Sequence, residues 1–258
     1  MIEKSMNNNI LSQLSLELEA EGLNYKKASD FQGVLFTKIN PDYADYLHKE
    51  QLHPYSQYLT FDKNVPVWHV NTLNQEAYTN IIEPLLKTEF DSFKINNGNI
   101  DVKVKSKNIT TKKYSQLMED FYEKKASSNI DIEILSLTSF KQRGRYNVTP
   151  DLRLIYQSLM MKYSAISGNE SMIDEETLEQ LIQNSVVSKY QLRTGVFPVE
   201  GRVIPGFIGK LGIKFYGTET MMRYIRMLLE FGEYSGIGIK TGMGMGAIRL
   251  VKEDVCER

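Results

Sequence analysis

Apolar and polar residues alternate from residue 10 to residue 20. Leu14, Leu16, Leu18 and Ala20 fall on one side and Ser15, Glu17 and Glu19 on the other. That period of two predicts a half-buried strand. Ser29 or Asp30 then caps a predicted helix running to Ile39. Residues 55–61 and 65–70 read as two strands about a turn at Asp62, Lys63 and Asn64. Over residues 74–88 the period lengthens, with Ile81, Ile82, Leu85 and Leu86 at helical spacing. The turn signal Asn96-Asn97-Gly98 leads into a new alternation, Ile100, Val102 and Val104 against Asp101, Lys103 and Lys105. Strand, helix, strand, strand, helix, strand is the ferredoxin-like order.

The stretch 123–129 is polar and poor in apolar residues, as a linker is. The pattern then restarts. Ile130, Ile132 and Ile134 alternate with Asp131 and Glu133, a loop with Gly144 and Pro150 follows, and Asp151 opens a helix to Tyr163. Residues 186–216 read as a long β-ribbon turning near Glu200 and Gly201, then come a Met- and Leu-rich helix at 218–231 and a closing strand at 247–251. The expected class is α+β: two tandem ferredoxin-like folds, residues 1–125 and 126–258. A single α+β domain is the other reading that the pattern admits.

Composition narrows the setting more than the function. The chain has 258 residues, 41% of them hydrophobic, which suffices for one large core or two small ones. With 31 Lys and Arg against 32 Asp and Glu, the total charge gives no sign of a polyanionic partner. Cys256 is the one cysteine, so no internal disulfide can form, which fits a reducing cytoplasm. The first residues, MIEKSMNNN, lack a signal-peptide core, and no apolar run reaches membrane-span length; the expectation is a cytoplasmic chain with no membrane partner. Charge is nevertheless segregated. Residues 184–251 hold nine basic and four acidic side chains. In the ribbon, Lys189, Gln191 and Arg193 share a face opposite Tyr190 and Leu192, and Lys210 and Lys214 oppose Leu211, Ile213 and Phe215. One face is expected in the core and the other, basic one on phosphates.

The most specific feature is glycine-rich: Gly236, Gly238, Gly242, Gly244 and Gly246 fall within eleven residues. A dinucleotide fingerprint needs strand, loop, helix, whereas this loop follows a helix and precedes a strand. A phosphate-binding P-loop needs Gly before Lys-Ser/Thr, and Ile239 stands there. The segment EYSGIGIKTGMGMGAIRL resembles the glycine-rich loop of the RAMP superfamily of CRISPR proteins. LTSFKQRGRYNVTPDLRLIYQSLMMKY (137–163) resembles the start of the second fold in that superfamily's repeat-RNA processing endoribonucleases, and ADYLHKEQLHPYSQYLTF (44–61) their segment with the catalytic histidine.

This resemblance implies an enzyme that cuts precursor guide RNA within its repeats, without a metal or other cofactor. The substrate's 2′-hydroxyl attacks the phosphorus, leaving a 2′,3′-cyclic phosphate and a 5′-hydroxyl. A base, an acid and a cation are required. Of the three histidines, His48 stands where the family places its catalytic one, just after the first helix; His53 or Lys49 is then the second proton carrier or the cation. Phe36 stands where some relatives carry a helix-borne tyrosine, so Tyr43 or Tyr46 is the candidate substitute. His69 reads as structural. For RNA binding the expected set is Lys189, Arg193, Arg202, Lys210, Lys240 and the five loop glycines. His48 and His53 are too few for a metal site and no Cys pair exists. The implied partner is CRISPR repeat RNA, with transient contact to an interference complex, for a monomer or homodimer. A non-catalytic RNA-binding subunit of such a complex is the alternative.

Overall fold

The computed structural model of the protein describes residues 10–124, 127–167 and 174–251. The expected boundary at 125/126, part of the expected linker, and Cys256 lie outside the described residues.

β1 (Ile10–Glu19) forms where the alternation predicts it and runs through the middle of the first sheet. It pairs antiparallel with β3 (Val65–Thr72) on one side and β5 (Ile100–Lys113) on the other. β2 (Tyr55–Asp62) flanks β3 and β4 (Ser92–Ile95) flanks β5, giving the order β2-β3-β1-β5-β4. The turn between β2 and β3 places Lys63 and Asn64 at φ 47 and 71, the left-handed pair that suits a two-residue hairpin. Trp68 is fully buried on this sheet, its ring edge-on to Phe31 at 5.0 Å.

Helices α1 (Asp30–Phe36) and α2 (Pro41–Lys49) cross from β1 to β2. α3 follows β3 in three pieces, Gln75–Ala77, Tyr78–Ile82 and Glu83–Leu86, the middle one π-helical. Pro84 explains that widening: it has no N–H, and its ring crowds the carbonyl four residues back. α4 (Tyr114–Glu123) closes the first half.

β6 (Asn129–Thr138) starts the second sheet, with β9 (Ser185–Val199), β10 (Arg202–Phe215) and β11 (Ile248–Leu250) in the order β11-β6-β10-β9, every pair antiparallel. A small hairpin of β7 (Phe140–Gln142) and β8 (Arg145–Asn147) fills the expected loop. α5 (Leu152–Ser167), α6 (Glu175–Gln183) and α7 (Glu219–Ser235) pack on this sheet. The cores are exchanged rather than separate. Phe197, Val199, Ile204 and Met245 from the second half belong to the core of the first, while Leu11, Leu73 and Leu117 belong to that of the second.

Several expectations need correction. The stretch just after the first helix, where His48 was expected, is itself a second helix. α2 is short and shows only Tyr43, Ala44 and Leu47 as its buried positions, too few turns to establish a period. α4, α6 and β4 escaped for the same reason. Tyr190 was expected in the core and is 70% exposed, because β9 is an edge strand that runs past the helices at this point. Ser29 holds the N-cap position of α1, but its hydroxyl donates to the Pro198 carbonyl of the ribbon, 3.2 Å away.

His69 sits between Ser15 Oγ (2.9 Å from Nδ1) and Thr60 Oγ1 (2.8 Å from Nε2), stacked on Tyr58. Burial, reinforced by Arg249, pushes its imidazole down to about 4. An unfolded histidine titrates near 6.5 and so binds a proton that the folded one refuses as pH falls toward 4. Stability should therefore drop as pH falls from about 6.5 to 4, by about 3 kcal/mol from this residue. Thermal melts across that window should show the decline, and His69→Gln should flatten it.

Candidate active site and RNA-facing surface

Asn40 caps α2 by accepting from Asp42 N–H, Pro41 fixes its first turn, and His48 and Lys49 form its last. The chain then crosses residues 50–54 to β2, placing His53 just before the strand. His48 is exposed and edge-on to Phe36, with ring centroids 4.7 Å apart. Phe36 thus supports a candidate catalytic histidine. His53 is half-buried beside Tyr55, and its Nδ1 has no hydrogen-bond partner among the described residues. Burial first, then the charges of His48, Lys240 and Lys162, hold the imidazole below its ordinary range; Glu50 acts the other way. His53 is therefore poised uncharged at neutral pH, as a base must be.

The glycine loop runs from the end of α7 to β11 and meets His53 from the other half of the molecule. Its glycines are dictated first by packing. Gly238 (φ +73) and Gly246 (φ +76) lie so close to the Ser139 and Ile237 carbonyl oxygens that a Cβ would stand 2.3 and 2.0 Å from them. Such contacts exclude every side chain. Hydrogen bonds fix the loop from both halves. Gly246 N–H donates to Leu137 O (3.1 Å), Ile239 N–H to Ser139 O (3.0 Å) and Gly238 N–H to Ser158 Oγ (2.9 Å). From the first half, buried Gln57 donates to the Ala28 and Gly242 carbonyls and accepts from Trp68 Nε1.

Between loop, ribbon tip and the segment after α2 opens a cleft of about 500 Å³, lined among others by His53, Lys141, Arg202, Lys240 and Gly242. Glu200 is its one carboxylate and accepts from Lys240 at 3.0 Å. Of the residues singled out by sequence, the cleft gathers His53, Arg202, Lys240, Gly238 and Gly242, with His48 close enough for its charge to act on His53. Tyr46 and Lys49 are exposed on α2 and do not line it. Tyr43 is buried, its hydroxyl without a partner among the described residues. Gly236 and Gly244 shape the loop without lining the cleft. Lys189 and Lys210 line a second, shallower cleft of about 330 Å³ beside Tyr190, and Arg193 stands on the same ribbon.

Charge pairing divides the basic residues. Lys189 pairs with Asp131 (2.7 Å), Arg249 with Glu133 (2.6 Å), and Arg223 and Arg226 with Glu219 and Glu230. Among the described residues Arg193, Arg202, Lys210 and Lys214 have no acidic partner and remain open to a polyanion. Two cleft residues went unnoticed in the sequence, Lys141 and Lys162. The second had a legible signal: Ile155, Leu159 and Lys162 fall at the spacing of a core stripe, where lysine is out of place.

Solved structures share this fold. A Cas6 product complex aligns with a TM-score of 0.78 at 23% identity, covering 94% of this chain and 100% of that one. A Cas6 substrate mimic complex gives 0.74 at 21% identity (94% and 99%). An RAMP protein binding different RNA substrates gives 0.59 at 16% identity (95% and 100%). The fold is thus that of the RAMP class of proteins. Sequence takes the assignment further. The family model of the CRISPR-associated endoribonuclease Cas6 matches residues 132–248. The Cas6 endoribonuclease of Streptococcus thermophilus is 36% identical over 223 residues, 86% of this chain and 90% of that protein. That of Mycobacterium tuberculosis is 35% identical over 246 residues, 93% and 78%. The chain belongs to the Cas6 family of CRISPR-associated endoribonucleases.

If packing dictates the loop, Gly246→Ala should lower the thermal midpoint by roughly 5–10 °C, since a left-handed alanine costs about 1–2 kcal/mol before its clash is counted. Gly242→Ala, at ordinary φ, would bring a Cβ to 3.0 Å from the Tyr55 hydroxyl and 3.4 Å from the His53 ring; it should melt closer to wild type and lose cleavage instead. Differential scanning calorimetry of the two variants separates these roles.

Proposed function

We propose that the chain cuts CRISPR precursor RNA within its repeats, in the cleft between the glycine loop and the segment after α2, without a metal ion. The observation that carries this is His53: an imidazole whose pKa burial lowers, at the wall of a cleft that also holds Lys141, Lys162, Arg202 and Lys240. His53 takes the proton of the 2′-hydroxyl, the 2′-oxygen attacks phosphorus, and the phosphorus–O5′ bond breaks. His48 returns a proton to the departing O5′. Arg202 and Lys240 stabilise the phosphorane charge. The products are a 2′,3′-cyclic phosphate and a 5′-hydroxyl.

RNA approaches along the ribbon, where Arg193, Lys210 and Lys214 lead toward Arg202 at its tip. The sheet orders β2-β3-β1-β5 and β11-β6-β10-β9 support two tandem ferredoxin-like folds. No helix among the described residues is long and apolar enough to cross a membrane. A cytoplasmic monomer or homodimer that passes cut RNA to an interference complex fits this reading.

Purified protein should cut its repeat RNA equally well in EDTA, and a 2′-deoxy nucleotide at the scissile position should leave the substrate bound but uncut. His53→Ala and His48→Ala should each slow single-turnover cleavage by about 10²–10⁴-fold with little loss of affinity. The ascending limb of the wild-type pH profile should lie below about pH 6.5, because burial lowers rather than raises the His53 pKa. Cleavage that needs Mg²⁺, or that survives both substitutions, overturns the mechanism; survival points to a binding subunit instead.

Replacing Arg193 and Lys210 together should reduce the slope of log affinity against log salt by about one to two, and Lys189→Ala by less, because Asp131 already neutralises Lys189.

A further inference from the structure

We infer that Lys162 is a positioning residue of the cleavage site, holding the glycine loop from beneath and placing a positive charge under the scissile phosphate. The inference rests on the cleft being the cleavage site. Lys162 is on α5, only 8% exposed, and its helix faces inward with Ile155, Tyr156 and Leu159. A lysine is seldom buried so deeply unless paired with a carboxylate. No carboxylate pairs with Lys162 among the described residues. Its ammonium instead donates to Ser235 O (3.1 Å), Gly236 O (2.9 Å) and Thr241 Oγ1 (3.4 Å).

Those acceptors explain its position. Ser235 and Gly236 end α7, where carbonyls lack helical partners and the helix dipole is negative. Thr241 lies at the far end of the same arc of loop. Lys162 therefore ties together the two ends of residues 236–241, the stretch whose Gly238 and Lys240 line the cleft. A methionine would fill the same volume without the desolvation of an ammonium, so packing alone does not explain a lysine here.

The charge also reaches the chemistry. Lys162 lines the cleft and is one of the groups that hold the His53 imidazole down. Around it stand His53 from the segment after α2, Lys141 from β7, Glu200 and Arg202 from the ribbon tip and Lys240 from the loop. Burial pushes Lys162 itself down to about 7, so its charge is fully present below neutral pH and is lost above it. A phosphate in the cleft favours the charged form.

The test compares Lys162→Met with wild type in EDTA, by single-turnover cleavage across pH, affinity for the 2′-deoxy RNA, and thermal melting. The expected result is a saturating rate lower by about 10- to 100-fold, as displacement of a positioning group by an ångström produces, with affinity within about threefold. The ascending limb should shift to higher pH, because His53 no longer feels the ammonium. In Lys162→Ala, propylamine should restore part of the rate and propanol none. Two outcomes overturn the inference. One is cleavage within threefold of wild type with an unshifted limb. The other is a joint loss of melting temperature, affinity and cleavage that propylamine does not relieve, as for an ordinary core residue. His53→Ala in the same assay separates this inference from the reading beneath it. An inactive His53→Ala beside an intact Lys162→Met removes only the role of Lys162, whereas a fully active His53→Ala removes the cleft as the cleavage site.

Discussion

Backbone pressed against backbone at the glycine loop is the constraint on which the rest of the molecule depends. At Gly238 and Gly246 there is no space for a single carbon atom between the loop and the carbonyls of Ser139 and Ile237. The loop therefore has one available path, and that path fixes the end of α7, the start of β11 and the facing segment of β2. Because Gln57 grips the loop from the first half and Lys162 from the second, both halves are registered on the same few residues. The position of His53 relative to Lys240 and Arg202 follows from this registration, although the three come from distant parts of the chain.

The long strands could be read from the sequence because alternation marks part of each: β1 shows it over residues 14–19 and β5 over 100–105. Elements with a single turn or two of pattern could not, α2 above all, which carries His48. The glycine cluster was legible as a site marker, but its physical reason was not. Four of the five glycines have positive φ because the loop packs on itself and on β6, a fact that depends on contacts between remote segments. Sequence also could not tell His48 from His53 by environment, since the first is exposed and the second half-buried, and burial belongs to the tertiary structure.

Charge shows the same division between local and distant information. The excess of basic residues in the second half was visible by counting, yet counting could not tell which of them are free. Asp131 sits across β10 from Lys189, with Gly212 between them leaving the space that their ion pair crosses. Only the strand register brings these groups together. Conversely, Lys162 looked unremarkable in a list of lysines and is unusual only because the helix turns it inward.

The exchange of core residues between the halves bears on how the nascent chain acquires its shape. The first sheet can pair as soon as β5 has emerged from the ribosome. Its hydrophobic interior nevertheless lacks Phe197, Val199 and Ile204 until the ribbon is synthesised, and Met245 until the glycine loop follows. A half-made polypeptide thus exposes an unfinished apolar surface in the core that holds Trp68 and Phe31, and its cleft is not yet assembled. Competence arrives late in translation, when the loop closes both cores in one step.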